Sequence, residues 1–143
     1  MQALTADQYE RLATLACAWA RAHLAEAKAE PHYNPRLGVD ALCFQPQALP
    51  DGRPALLGAL ITPVSLSLAL VPESPMAPPE AASLVLTLPS GRYPFRVLAL
   101  DAEQWLWACP LLDDLSDIDS LQEGSRLAQR LMERVMAPAA SGD

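Results

Sequence analysis

Apolar and polar positions repeat with two different periods along this chain, and the switches between them divide it into a helix, a run of strands and a second helix. Near the start, Tyr9, Leu12, Ala13, Ala16, Trp19 and His23 recur at steps of three and four residues, which collects them on one face of an α-helix. Thr5 with Gln8 reads as a capping box ahead of that stripe, so a helix of about six turns is expected to run to Pro31. Residues 30–54 then carry Pro31, Pro35, Pro46, Pro50 and Pro54 around one short alternating run, 39–44. That pattern predicts an extended excursion containing a single strand.

From Ala55 onward the period is that of strands. Residues 56–61 form a continuous apolar run, whereas in 64–71 Ser65 and Ser67 alternate with Val64, Leu66 and Leu68. Thr62-Pro63 marks the corner between them, an interruption expected to expose backbone groups and re-aim neighbouring side chains. Pro72, Pro75, Pro78 and Pro79 predict a stiff, irregular loop. Leu84, Leu86 and Leu88 then form one strand face, the turn Pro89-Ser90-Gly91-Arg92 follows, and Tyr93, Phe95, Val97 and Ala99 line the returning strand. After a turn at 101–103, Trp105, Trp107 and Cys109 share a face of a last strand, completing an antiparallel meander. Ser120 with Glu123 is a second capping box, opening a helix with Leu127, Leu131 and Val135 on one face that ends near Pro138.

The expected architecture is α+β: a mostly antiparallel, twisted sheet with the N- and C-terminal helices packed on one face. One domain spans 1–138, and 139–143 is expected to be a disordered tail.

Composition narrows the function classes. Hydrophobic residues make up 51% of the 143 positions, enough to build a core, and the formal charge of −7 leaves no basic stripe for nucleic acid. Asp7 and Glu10 fall where the apolar part of a signal peptide would begin, so a cytoplasmic protein is expected. The uncharged stretch 55–71 barely reaches spanning length and is broken by Pro63, so it reads as two strands and no membrane insertion is expected. Cys17, Cys43 and Cys109 are odd in number and set among apolar neighbours, which suits reduced core thiols better than disulfides.

Candidate chemistry is sparse. His23 and His32 are the only histidines, and His23 on the helical stripe reads as a packed residue. No cysteine lies at zinc-ligand spacing, and no glycine loop could cradle phosphate, so no catalytic set, metal or cofactor is expected. Asp113, Asp114, Asp117 and Asp119 lack an EF-hand's glycine and distal glutamate. They read either as a solvated loop ahead of a helix or as a docking site for a basic peptide. Trp105 and Trp107 read either as core or as an aromatic anchor for a partner. A non-catalytic binder of proteins or peptides follows, with Thr62, Pro63, Trp105, Trp107, Asp113, Asp114 and Asp117 as candidate contacts.

Several motifs sharpen this. Leu60-Ile61-Thr62-Pro63 followed by an apolar strand, Leu88-Pro89-Ser90-Gly91 followed by Phe95-Arg96-Val97, Cys109-Pro110-Leu111 and Gln122-Glu123-Gly124 resemble, in order and spacing, the HybE-type (HupJ-related) NiFe-hydrogenase assembly chaperones. Val64 stands where relatives often carry an aromatic. The resemblance implies a chaperone that binds immature hydrogenase subunits during cofactor insertion and assembly. It also implies release of a complex bearing a twin-arginine signal for export, the small subunit being one candidate partner. The alternative is a binding module unrelated to hydrogenase.

Overall fold

A computed structural model describes residues 4–73, 83–101 and 104–138. The element order is α1 (Ala6–Lys28), β1 (Asp40–Pro46), β2 (Ala55–Ile61), β3 (Leu66–Pro72), β4 (Ser83–Leu88), β5 (Gly91–Ala99), β6 (Trp105–Leu112) and α2 (Leu121–Met136). The capping box on α1 forms in full, with Gln8 N–H donating to Thr5 Oγ1 and the Gln8 side chain accepting from Thr5 N–H. On α2 it forms by half. Ser120 caps the Glu123 N–H, but the Glu123 carboxylate reaches past the cap to the Asp119 N–H, 2.6 Å away.

Among the described residues, six strands join one sheet in the order β1-β2-β3-β6-β5-β4, every neighbouring pair antiparallel. The α+β class and the meander of β4, β5 and β6 are as expected. A second meander, β1-β2-β3, lies beside it, joined through β3 and β6. Consecutive strands β3 and β4 are therefore separated by two others, β6 and β5. The proline-rich loop expected between them falls largely on 74–82, and the tail on 139–143, both outside the described residues.

Against expectation, the two helices pack on opposite faces of the sheet. Leu12, Leu15, Ala18 and Trp19 of α1 cluster with Leu56, Leu60, Ala69, Val71, Leu106 and Ala108. Ala128, Met132 and Val135 of α2 cluster with Leu57, Ala59, Ile61, Leu68, Leu70 and Trp107. Successive strand residues point to opposite faces, so each central strand feeds both clusters in turn. This is why β2 and β3 are buried at every position, and why 56–61 has no polar side. In β3 the alternation is one of size: Leu66, Leu68 and Leu70 face α2, while the smaller Ser67 and Ala69 lie on the α1 face.

The sheet curls on its α2 face. Leu84 of edge strand β4 and Leu49, beyond the opposite edge strand β1, line one pocket over Trp105 and Trp107. At the other end of β4, the N–H of Ser90 donates to the C=O of Val135 in α2 at 3.2 Å. No helix among the described residues is long and apolar enough to cross a membrane.

Candidate functional site

The corner between β2 and β3 is closed by its own hydrogen bonds. Thr62 N–H donates to Ser65 C=O at 2.8 Å, and Thr62 Oγ1 accepts from the N–H of Val64 at 3.1 Å and of Ser65 at 3.0 Å. Thr62 is 1% exposed and Pro63 is fully buried. The expected exposure of backbone groups at Thr62-Pro63 therefore does not occur, because the threonine hydroxyl satisfies the turn from within.

The Pro63 carbonyl points to a residue that sequence reasoning passed over. Asn34 donates its backbone N–H to Pro63 C=O at 2.9 Å, and its Nδ2 donates to both Leu115 C=O and Ile118 C=O at 2.8 Å. Its Oδ1 accepts from Arg36 N–H at 3.0 Å. The side chain is 2% exposed and both of its amide hydrogens are used. One buried asparagine, through its backbone N–H on one side and its side-chain amide on the other, thus ties the β2–β3 corner to the acidic loop between β6 and α2. The available signal was Asn34-Pro35, a turn dipeptide inside the proline-rich excursion.

In that loop the apolar residues turn in and the acids turn out. Leu115 and Ile118 are buried, while Asp113, Asp114, Asp117 and Asp119 are exposed. Asp114 Oδ1 accepts from Ser116 Oγ at 2.6 Å and from Ser116 N–H at 3.0 Å, and Oδ2 lies 3.3 Å from His32 Nδ1. The Ser116 hydroxyl and N–H, with the His32 ring adding its charge when protonated, hold the Asp114 carboxyl below the ordinary aspartate value.

Beside Pro63 opens an apolar groove of about 380 Å³ along α1, lined by Ala13, Ala16, Cys17 and Ala20 and walled by Tyr33 and Val39. The small residues of α1 at three- and four-residue steps leave the trough between helix and excursion. The same Pro63 belongs to the groove and to the Asn34 tie, so apolar trough and acidic loop are neighbours.

Trp105 and Trp107 lie elsewhere, on the α2 face at the opposite end of β6 from the acidic loop. Both are buried, at 6% and 5% exposure, and meet edge to face with ring centroids 5.6 Å apart. They floor a smaller pocket of about 200 Å³, with Leu49, Pro50 and Leu84 as walls and the exposed Asp51–Arg53 ion pair, 2.6 Å, at its rim.

The remaining candidates resolve into structure. His23 packs against Trp19 at 5.4 Å, and its Nε2 lies 2.9 Å from Ala99 C=O, pinning α1 to the end of β5. Of the thiols expected in the core, only Cys109 is buried. Cys17 is exposed because it falls on the groove side of α1, beside the arc that meets the sheet. Cys43 is exposed because it occupies an irregularity in edge strand β1, with φ at 60° and a register shift between Leu42 and Gln45. Among the described residues, no three His, Cys, Asp or Glu side chains converge where an ion could be held.

Comparison with known proteins gives this site its context. No functionally curated protein matches the chain. The solution structure of HybE from Escherichia coli shares the fold, with a TM-score of 0.61 and 24% identity over 85% of this chain and 76% of that one. The model of the NiFe-hydrogenase assembly chaperone HybE family matches residues 10–142. The chain therefore belongs to the HybE family of NiFe-hydrogenase assembly chaperones.

Proposed function

We propose that this protein holds immature NiFe-hydrogenase subunits in the cytoplasm during cofactor insertion and assembly, releasing them for twin-arginine export, and that it does so without catalysis. The observation that supports this reading most directly is the Asn34 tie, which sets an apolar groove beside exposed Asp113, Asp114 and Asp117. A precursor segment with basic residues next to an apolar stretch matches both halves at once. The carboxylates steer the encounter, and the groove removes apolar surface from water. Buried Thr62 and Pro63 shape the junction from beneath, so their contribution is positional. Trp105 and Trp107 form a second contact in this reading, flooring the pocket that takes one apolar side chain of the subunit.

The test is association kinetics with an authentic precursor. Replacing Asp113, Asp114 and Asp117 with asparagine is expected to slow association by about tenfold at low salt and to flatten its salt dependence. Thermal unfolding should barely move, because asparagine at 114 still accepts from Ser116. Association unchanged at both low and high salt would remove the acidic loop from the contact surface.

A further inference from the structure

The two edges of the sheet are treated differently. β1 is broken by the irregularity at Cys43 and ends at Pro46, features that discourage another strand from pairing. β4, Ser-Leu-Val-Leu-Thr-Leu, has no proline, charge or bulge, and its register with β5 is unbroken from Ser83 to Leu88. Among the described residues its backbone bonds only to β5. It is an open template.

The outer face beside this edge is also uncovered. α1 reaches as far as Leu98 and Leu100 but leaves Ser83, Val85, Thr87, Arg92, Pro94 and Arg96 exposed, with Val85 at 52%. Cross-strand pairing is Ser83 with Arg96, Val85 with Pro94 and Thr87 with Arg92. An apolar pair therefore sits between two guanidinium groups spaced about 13 Å apart along β5. Serine and threonine are the short residues opposite the arginines, so each long side chain can pass over β4 to its open edge. Neither Arg92 nor Arg96 makes an ion pair among the described residues.

We propose that β4 accepts an added strand from an acidic partner, an extended segment carrying carboxylates at positions i and i+4 and an apolar residue at i+2. On such a strand those three side chains share the outer face and fall opposite Ser83, Val85 and Thr87. Main-chain bonds to β4 supply affinity, while Arg92 and Arg96 select for acid at the two flanking positions. A second copy of this chain would bring its own β4, which has no carboxylate to meet them. This surface is remote from the groove beside Pro63 in sequence and opposite in charge to the acidic loop, so the proposal does not depend on how precursors dock.

The test is a titration of isotopically labelled full-length protein with a short peptide whose core is Glu-Thr-Val-Thr-Glu, followed by amide spectra and hydrogen exchange. Shifts over 83–88 and 92–96, slowed exchange in β4 and weakening by salt are expected. A peptide with glutamine for both glutamates, or the variant R92Q/R96Q, should bind at least about tenfold more weakly. Equal binding of the glutamine peptide, or salt-independent binding, would overturn the proposal, and the salt arm needs only the unaltered protein. It would equally fall if sedimentation equilibrium gave a dimer that Val85→Lys disperses, since the edge would then belong to a second copy.

Discussion

Asn34 carries more of this molecule than its size suggests. Its Nδ2 is a donor to two carbonyls of the loop 113–119, and nothing aliphatic of the same volume could replace those bonds. Asn34→Ala leaves the carbonyls of Leu115 and Ile118 without that partner in a dry site, and the expected cost is roughly 2–3 kcal/mol of unfolding free energy by urea titration. Asn34→Asp should cost at least as much, because it substitutes an acceptor and a negative charge for a donor facing two carbonyl oxygens. Asp114→Ala, at the exposed surface of the same loop, should cost clearly less than Asn34→Ala, because solvent screens an exposed carboxylate. Equal losses at the two positions would mean that the loop is held by its own turn at Ser116 and not by the amide beneath it. The acids were legible in the sequence because four carboxylates in seven residues stand out. The amide that fixes them was not, since its partners lie more than eighty positions away.

At the scale of elements, two glycines separate close approach from mere smallness. A Cβ on Gly58 in β2 would stand 2.3 Å from the Phe44 ring of β1, whereas one on Gly124 in α2 would meet only side-chain tips, Ile61 Cδ1 at 2.9 Å and Leu37 Cδ2 at 3.1 Å. Gly58→Ala forces the half-buried Phe44 ring to move and should cost about 1–3 kcal/mol. Gly124→Ala recovers up to about 1 kcal/mol of helix propensity against a clash that a side-chain rotation relieves, so it should be close to neutral. Calorimetry of both variants, with Phe44→Leu added to the first, checks the argument. If Phe44→Leu does not relieve Gly58→Ala, the ring is not the obstacle. The elements themselves were readable, because periods of two and of three to four survive in any context. Their faces were harder to assign. The continuous apolar run 56–61 already implied cover on both sides of β2, yet the motif order alone suggested helices sharing a side. Only the opposite parity of Leu56 and Leu57, one under α1 and the other on the α2 side, settles the layering.

For the whole molecule, three layers place the three thiols in three environments, and their reactivity reports the architecture. Cys17 stands exposed in the groove outside the α1 layer. Cys43 is exposed at the sheet edge, but partial burial of its thiol, with the Glu133 carboxylate adding to it, pushes its pKa above the ordinary 9.0. Cys109 lies on the α2 face of a central strand, 4% exposed, and burial pushes its thiol up as well. A raised thiol pKa means less thiolate at neutral pH, and the thiolate is the reactive species. With an aromatic disulfide reagent at pH 7, one fast equivalent lost in Cys17→Ser is expected, then a slower one from Cys43 that accelerates as pH rises. Cys109 should react only as fast as the protein opens. Three equal rates would contradict the layering. Because a bulky adduct on Cys17 occupies the groove beside Pro63, the singly labelled protein should also bind a hydrogenase precursor at least about tenfold more weakly. Replacing Cys17, Cys43 and Cys109 together with serine should leave binding intact in protein that stays folded, since no thiol is needed for contact. Full-strength capture by the labelled protein would move the contact surface away from α1, leaving the acidic loop to act without the groove.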